Sequence, residues 1–287
     1  MTESPGQNAT AQPTVEKSAS PTSQAFHLLT MNTFGVPTGH TNARMRTLAQ
    51  HLNTADLDVV CFQEVQLSYY NRLLRREFHA MPHAAFEPHL YAPKGGLLTL
   101  SRHSLRHFAF EPFHTRRLRI GPALTDWALY KGALVTHIEG QATPTIIVNT
   151  HLNANYDGDW SPTNRYAAIE HRQAQQLADL VQSLDPHALA FVVGDFNFPR
   201  GCWIYEDFVQ AAGVIDPLAS HQEPTFRPPR LAPAHFAQPI DFAFVRPPHQ
   251  QAVNVQAQML FDERVELVNG KKRHLSDHHA VRVDVWW

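Results

Sequence analysis

The sequence has 287 residues, which is enough to bury a sizeable core as one large domain or two small ones. Its formal net charge is −2 and its pI is about 6.8, so no overall field attracts the chain to nucleic acid or to an acidic membrane. Hydrophobic residues make up 43% and charged residues 17% of the chain, as is typical of a soluble globular protein.

The N-terminal residues 1–25 are rich in Ser, Thr, Pro, Gln and Ala and contain almost no large apolar side chains. Such a segment cannot bury enough surface to offset the entropy lost on ordering, so we expect a disordered tail before a single folded domain over residues 26–287. The tail lacks the apolar centre of a secretory signal, and no stretch of the sequence is apolar enough to span a membrane. We therefore expect a cytoplasmic protein, and we expect a monomer.

The two cysteines, Cys61 and Cys202, lie far apart, and neither has a partner at the spacing of a metal-binding pair. Cys61 lies in an apolar run, where a cysteine usually acts as a small buried side chain. The sequence therefore predicts no structural zinc site and no disulfide framework, and it leaves a single bridge open.

From residue 26 onward, short apolar runs alternate with helical patterns. The segment 26–31 predicts a first strand that ends at Asn32. The near-continuous apolar run 57–62 predicts a buried strand that ends at Gln63-Glu64. Apolar residues at helical spacing predict helices over two nearby ranges, 44–53 and 69–78.

The second half of the chain adds short strands and one long helix. The helical pattern over residues 165–184 is the strongest in the sequence, because its apolar residues share one side. The proline-rich stretch 224–239 predicts an ordered or mobile loop and not a linker between domains. Further strands are predicted over 96–101, 131–138, 145–149, 189–193, 240–245 and 280–285.

The order of these elements indicates the fold class. Many strands with interspersed helices, and no strict alternation of strand and helix, favour an α+β or layered sandwich architecture. Polar clusters are spread over the whole predicted domain, which favours one domain over two.

Small polar or acidic residues follow the predicted buried strands repeatedly. Strand ends are places where a rigid scaffold presents side chains into a shared cleft. A single carboxylate after a strand is more often a cap or a turn residue, but many polar residues in such positions indicate a site. The residues at or beside strand ends are Asn32, Glu64, His151, Asp195, Asn197, Asp241, Asp277 and His278.

These residue types suit the hydrolysis of a phosphoester. That reaction needs charge neutralisation on the phosphoryl oxygens, an activated water and help for the leaving oxygen. Mg²⁺ prefers oxygen ligands, so Glu64, Asn32 and Asp277 are candidate metal ligands. A carboxylate such as Asp195, or a histidine such as His278, is suited to act as the base, and the sequence leaves this choice open.

Six short motifs stand in the order found in the endonuclease/exonuclease/phosphatase superfamily, which the chain resembles from residue 29 to residue 285. The resemblance implies a four-layer α/β/β/α sandwich, in which two packed mixed sheets are flanked by helices. It also implies Mg²⁺-dependent cleavage of phosphoesters, with Mn²⁺ as a substitute ion. The motifs are Met31-Asn32, Phe62-Gln63-Glu64, Asn149-Thr150-His151-Leu152, Gly194-Asp195-Phe196-Asn197, Ile240-Asp241-Phe242 and Ser276-Asp277-His278.

The resemblance implies roles for the metal ligands and the phosphate contacts. Glu64 is similar to the principal metal ligand of the family, with Asn32 beside it and Asp277 as an additional metal or water ligand. His151 resembles a histidine that contacts the phosphate and stabilises the transition state, and Asn197 resembles a neighbouring phosphate contact.

The resemblance also implies roles in proton transfer. Asp195 is similar to an aspartate that positions or deprotonates the attacking water. His278 resembles a histidine paired with Asp241, whose carboxylate fixes the tautomer and raises the basicity of the ring. The following His279 is expected to be a bystander.

The substrate class stays open between a phospholipid headgroup and nucleic acid. The pattern of residues 166–175, together with Asp126-Trp127 and Lys131-Gly132, resembles the neutral sphingomyelinase-like branch of the superfamily. The alternative is a DNA or RNA endonuclease or exonuclease, whose phosphate contacts the arginine-rich stretch 102–119 would supply. The near-neutral net charge argues against this alternative. A catalytically inactive binding module is less favoured, because the set of proposed ligands and histidines is intact.

Overall fold

The computed structural model describes residues 24–114 and 130–287. Most of the predicted tail 1–25, the arginines at positions 116, 117 and 119 of the basic stretch, and the pair Asp126-Trp127 lie outside these residues.

The described ranges contain four α-helices and a series of mostly short strands. The helices are α1 (Thr41–Leu52), α2 (Ser68–Glu77), α3 (Arg165–Ser183) and α4 (Trp203–Ala212). The strands are β1 (Ala25–Asn32), β2 (Val59–Gln63), β3 (His83–Ala85), β4 (Leu98–Ser101), β5 (Leu105–Pro112), β6 (Gly132–Ile138), β7 (Thr145–His151), β8 (Leu189–Asp195), β9 (Asp241–Arg246), β10 (Asn254–Leu260), β11 (Val265–Glu266), β12 (Lys272–Arg273) and β13 (Ala280–Trp286).

The strands form two mixed sheets. The larger sheet has the order β10-β13-β1-β2-β4-β3, and the smaller has the order β5-β6-β7-β8-β9. Only β1 with β2 and β7 with β8 are parallel pairs within the described sheets, and the other neighbours run antiparallel. Strands β11 and β12 form a separate antiparallel pair.

The sheets pack face to face between two helical layers. Leu28, Val59, Phe191, Val193 and Val283 are buried between the sheets, so the central strands are apolar on both faces and read as continuous apolar runs. The outer face of the larger sheet packs on α1 and α2, and that of the smaller sheet packs on α3 and α4. The predicted four-layer sandwich is confirmed.

Helix α3 shows how the sequence fixes these layers. The side chain of Asn164 accepts hydrogen bonds from the backbone N–H groups of Tyr166 and Ala167, which caps the helix at its start. Leu177 and Val181 lie one turn apart and are buried against the smaller sheet. The helix therefore begins at a capping asparagine and is held by its apolar side.

The register of the sheets places the polar residues at one edge of the sandwich. His151 lies opposite Asp195 across β7 and β8, and Asp195 lies opposite Asp241 across β8 and β9. In the larger sheet, Asn32 lies opposite Gln63, which precedes Glu64. Since residues at the same register point to the same face, three of the expected site residues lie side by side.

Several elements were not expected from the sequence: β3, β5, β10 to β12 and α4. Strand β10 lies at an edge of the larger sheet and alternates exposed and half-buried residues, so it contains no continuous apolar run. Helix α4 did carry a readable signal, because Ile204, Phe208 and Ala212 are buried at helical spacing.

Candidate active site

Asp195 is the centre of the polar edge. Its Oδ2 atom accepts a hydrogen bond from Nδ2 of Asn32 at 2.8 Å, and its Oδ1 atom accepts one from the backbone N–H of Asn197 at 3.1 Å. The Nε2 atoms of His151 and His278 lie 3.4 and 3.8 Å from the same Oδ2. The pKa of Asp195 is raised to about 7, mainly by burial, while His278 opposes the rise and Asp241 adds to it.

His278 is held by Asp241 on the side of the ring away from Asp195. Its Nδ1–H group donates to Oδ2 of Asp241 at 2.9 Å, and the hydroxyl of Thr225 donates to the same oxygen at 2.6 Å. Burial alone would lower the pKa of His278, but Asp241 and Asp195 together raise it well above its ordinary value. The ring is therefore oriented and favours its charged form.

The proline-rich loop 224–239 holds His278 from the other side. The backbone N–H of Arg227 donates to the carbonyl of Asp277 at 2.7 Å, and that of His279 donates to Thr225 at 2.7 Å. The ring of Phe226 lies 4.9 Å from the ring of His278 between centroids. The stretch is a loop, as predicted, and it is packed against the site.

His151 differs from His278 in its charge state. Burial lowers the pKa of His151 well below its ordinary value, and the charges of Lys131 and His278 lower it further. Its Nδ1 atom is buried and has no hydrogen-bond partner among the described residues. His151 is therefore a neutral ring at the floor of the site.

Glu64 occupies an unusual backbone position directly after β2. Its φ angle is 53°, in the left-handed region that few residues other than glycine adopt. A Cβ atom at Gly35 would overlap the carbonyl oxygen of Glu64, and a Cβ at Gly96 would lie 3.3 Å from its Cα. These two glycines let neighbouring segments pass close to Glu64, while Nε2 of Gln66 donates to its Oε2 at 3.1 Å.

Asn197 is a second residue with left-handed backbone, at a φ angle of 60°. Its side-chain amide donates to the carbonyl of Leu152 at 2.9 Å, which fixes it to the end of β7. Strained residues of this kind are often found where a site requires a particular side-chain direction. Glu64 and Asn197 therefore both line the cleft with Asp195, and both have a left-handed backbone conformation.

The site opens into a cleft of about 680 Å³. The expected residues that line it are Glu64, His151, Asp195, Asn197, Asp277 and His278. Asn32 and Asp241 are buried behind them and act on them through hydrogen bonds. The structure thus brings all eight expected residues together.

The family follows from a comparison of the sequence with protein-family models. The model described as the Endonuclease/Exonuclease/phosphatase family matches residues 29–278. The chain belongs to this family. Members of the endonuclease/exonuclease/phosphatase family are hydrolases that act on phosphoesters. A search of curated protein sequences finds no match.

Solved structures similar to this family member cover nearly its whole length. A beta toxin mutant from Staphylococcus aureus with bound magnesium ions is 14% identical, with a TM-score of 0.71 over 91% of this chain and 99% of that chain. Sphingomyelinase C from Streptomyces griseocarneus is 17% identical, with a TM-score of 0.68 over 91% and 99%. TDP2 from D. rerio, complexed with a single-strand DNA product, is 16% identical, with a TM-score of 0.70 over 91% and 98%. At these identities the likeness shows the fold. None of the described helices is long and apolar enough to cross a membrane.

The side chains of this family member fit a hard divalent cation. Ligand atoms of Glu64, His151 and Asp195 lie within 4.8 Å of one another. Burial raises the pKa of Glu64, and the nearby Asp277 raises it further. Carboxylate oxygens that repel each other in a cleft are suited to Mg²⁺, which takes oxygen ligands.

Asn32 positions the carboxylate of Asp195, in addition to its expected role as a metal ligand. Its Nδ2 donates to Asp195, and its Oδ1 accepts from the backbone N–H of Phe34 at 3.0 Å. Both ends of the amide are therefore used, and metal ligation by Asn32 stays a prediction.

Two buried residues behind the site were missed by the sequence analysis. Nε2 of Gln63 donates to Oδ1 of Asn149 at 2.7 Å, and Nδ2 of Asn149 donates to the carbonyls of Phe62 and Leu98. These bonds join the two sheets through Gln63, the residue that precedes Glu64. Both residues stand inside the motifs, but only the pairing of the sheets reveals what they contact.

Proposed function

We propose that the chain is a Mg²⁺-dependent phosphodiesterase in which a water molecule attacks the phosphorus of a phosphodiester. The observation that carries this proposal is the convergence of His151 and His278 on one carboxylate oxygen of Asp195, next to the carboxylates of Glu64 and Asp277. This arrangement supplies a proton acceptor, two ring N–H donors and an anionic metal site in one cleft.

Asp195 is the proposed proton acceptor from the attacking water. Asn32 and the backbone N–H of Asn197 hold both of its oxygens, so the carboxylate cannot rotate away from the cleft. Of the two bases that the sequence leaves open, Asp195 is the one we propose. A base of fixed direction within hydrogen-bond reach of the water contributes about 10²- to 10⁴-fold to the rate.

His278 is the proposed donor to the oxyanion or the leaving oxygen. Its Nδ1–H group is bonded to Asp241, so Nε2 faces the cleft and carries the proton of the charged ring. His151 presents Nε2 on the other side of Asp195 as a neutral donor to a phosphoryl oxygen. Asn197 lies beside it as a further phosphate contact.

Glu64 and Asp277, with Asn32 beside them, would hold the Mg²⁺ ion. When bound, the ion neutralises charge on the phosphoryl oxygens. The same residues accept Mn²⁺ as a substitute. The positive charge of the ion would offset the repulsion between these two carboxylates and the phosphate.

The proposed substrate is a phosphodiester. A phospholipid headgroup is the first candidate for its class. A nuclease is the alternative within the same reaction class. A binding module without catalysis is disfavoured, because Asp195, His151 and His278 keep donor and acceptor contacts that binding alone does not require.

The proposal is tested with bis(p-nitrophenyl) phosphate in the presence of Mg²⁺, Mn²⁺ or EDTA. We expect hydrolysis with either metal and none with EDTA. Asp195→Asn and His278→Ala should each lower kcat by about 10²-fold or more while the protein stays folded. Asp179→Asn and His79→Ala change the same residue types on the exposed surface and should keep the activity of the unaltered protein.

Metal binding is measured separately from turnover. Mg²⁺ should raise the Tm of the protein, because an ion that binds only the folded state stabilises it. Glu64→Gln should abolish this rise and Asp179→Asn should retain it. A Tm that does not respond to Mg²⁺ in the unaltered protein would contradict the metal site.

A further inference from the structure

Half-buried apolar side chains line part of the cleft, and none of the chemical steps proposed above uses them. We call this surface the apolar wall, and it consists of Phe34, Tyr156, Trp160, Phe226, Pro228 and Phe236. The wall borders the same cleft as Glu64, Asp195 and His278. Apolar surface in a concave site is stabilised when a ligand removes it from water.

Hydrogen bonds and ring contacts fix the aromatic side chains of the wall. The indole N–H of Trp160 donates to the backbone carbonyl of Asn197 at 3.2 Å, and the indole of Trp203 donates to the carbonyl of Trp160 at 2.7 Å. The ring of Tyr156 meets the edge of Tyr166 with 5.6 Å between centroids. Side chains held in this way lose little entropy when a ligand binds.

The proline-rich loop 224–239 completes the wall by contacting the loop that carries Trp160. A Cβ atom at Gly158 would lie 2.7 Å from Nε2 of His235 and 3.1 Å from the ring of Phe236, so the two loops touch at this glycine. At its other end, the loop is joined to His278 through a β-bridge at Phe226. The apolar wall is therefore anchored both beside the ring of His278 and against Gly158.

The described residues that line the cleft include no lysine and no arginine. Arg227, in the proline-rich loop, directs its guanidinium to the carbonyls of Ser276, His278 and Phe261. A nucleic acid carries a phosphate at every nucleotide, and proteins that bind it contact several of them. The described lining instead combines one cluster of ionic and imidazole groups with an apolar surface.

We propose that the apolar wall binds an alkyl or aryl ester group of a substrate with a single phosphate, and that the wall sets specificity in this way. The inference rests on the proposed phosphodiesterase function. The phosphate would lie against Asp195 and His278, and the apolar ester group would cover Trp160 and Phe236. Nucleotide esters, whose sugar is polar, would gain little from the same surface.

The inference is tested with phosphodiesters that share a p-nitrophenyl leaving group and differ in the second ester group, which is methyl, hexyl, phenyl or the 5′-oxygen of thymidine. We expect kcat/KM for the hexyl or the phenyl ester to exceed that for the methyl ester by roughly tenfold or more. The thymidine ester should be no better than the methyl ester. The ratio between the hexyl and phenyl esters distinguishes an alkyl from an aryl preference.

The outcomes separate the two proposals. Equal kcat/KM values for the methyl, hexyl and phenyl esters would overturn the role of the apolar wall and leave the phosphodiesterase function standing. A preference for the thymidine ester would also overturn it and would favour a nuclease. Hydrolysis of none of the four esters with Mg²⁺ or Mn²⁺ would contradict the phosphodiesterase function itself.

Variants of the wall connect the preference to its residues. Phe236→Ala and Trp160→Ala should each reduce the ratio of kcat/KM between hexyl and methyl esters towards one, and Tm measurements identify a variant that fails to fold. Trp160→Phe keeps an aromatic ring and should retain most of the ratio. Leu231→Ala is the matched control, because Leu231 lies in the same loop, is 97% exposed and does not line the cleft. An unchanged ratio in folded Phe236→Ala and Trp160→Ala would overturn the inference.

Discussion

The Nδ1 atom of His278 lies 2.9 Å from Oδ2 of Asp241, and this contact decides which ring nitrogen faces the cleft. A carboxylate only accepts, so Nδ1 must carry a hydrogen. The contact joins the start of β9 to the residues before β13, which are far apart in sequence. Its loss should change catalysis more than it changes the fold.

We expect Asp241→Asn to lower kcat by about 10²- to 10⁴-fold, because an amide can donate to Nδ1 and favour the wrong tautomer. Steady-state kinetics with an aryl phosphodiester measure the change. Asp207→Asn is the matched control, since Asp207 pairs with His171 at 3.1 Å on the surface of α3 and α4. Equal losses of activity in both variants would contradict a special role for Asp241.

We expect Gly194→Ala to reduce the free energy of unfolding by more than about 2 kcal/mol. The φ angle of Gly194 is +141°, and a Cβ atom there would overlap the carbonyl oxygen of Thr150 on the neighbouring strand. Chemical denaturation measures the change. Gly39→Ala is the control and should be nearly neutral, because a Cβ atom at Gly39 meets no atom of the described residues within 4 Å.

We expect Arg200→Met to destabilise the fold by about 3–5 kcal/mol, because it leaves a buried carboxylate without its partner. Nε of Arg200 donates to Oδ2 of Asp216 at 2.6 Å, and both side chains are almost fully buried. The exposed pair of Arg165 with Asp157, at 3.9 Å, offers the control Arg165→Met, which should change stability by less than about 1 kcal/mol. A similar loss of unfolding free energy in both variants would contradict the expectation that burial makes the Arg200–Asp216 pair more important for stability.

We expect the stability of the protein to fall at alkaline pH partly through Cys61. Burial raises the pKa of this thiol to about 12, and its ordinary value is about 8.5. Between these values the unfolded chain releases the proton and the folded chain retains it, so the free energy of unfolding decreases as pH rises, by up to about 1.4 kcal/mol per unit.

The test compares urea unfolding of the unaltered protein with that of Cys61→Ala from pH 8 to 10.5. The difference in unfolding free energy between the two proteins should shrink as pH rises. Only the unaltered protein has the Cys61 thiol, so only it loses stability through the raised pKa of that group. A difference that is independent of pH would contradict the shifted pKa.

The sequence could predict Asn32, Glu64 and Asp195 as candidate site residues because each ends or directly follows a mostly buried strand. Asp241 and His278 instead lie at or before the start of a strand, and the order of the motifs indicated them. Asp195 follows the uninterrupted apolar run 189–193 and Gly194, and Glu64 follows the near-continuous apolar run 57–62. The sandwich could be predicted from these apolar strands and from the order of the motifs. The edge strands β5 and β10 could not be predicted. Each has an exposed face and pairs with a neighbour on one side only, so its sequence shows little hydrophobic patterning.

The apolar wall could not be predicted, because its residues acquire their positions from contacts distant in sequence. Trp160 depends on Asn197 and Trp203, and Phe226 depends on His278. The sequence shows only a tryptophan in one loop and prolines in another. Which side of these loops faces the cleft follows from the packing of the whole sandwich.

The pairing of β1 with β13 has a consequence for the protein during its synthesis. Asn32 at the end of β1 and the Asp277-His278 pair just before β13 meet at one edge only after the last strand has been inserted beside the first. A chain still emerging from the ribosome therefore holds Glu64 and Asp195 but not His278. The proposed hydrolytic activity therefore requires that the last strand has paired with the first.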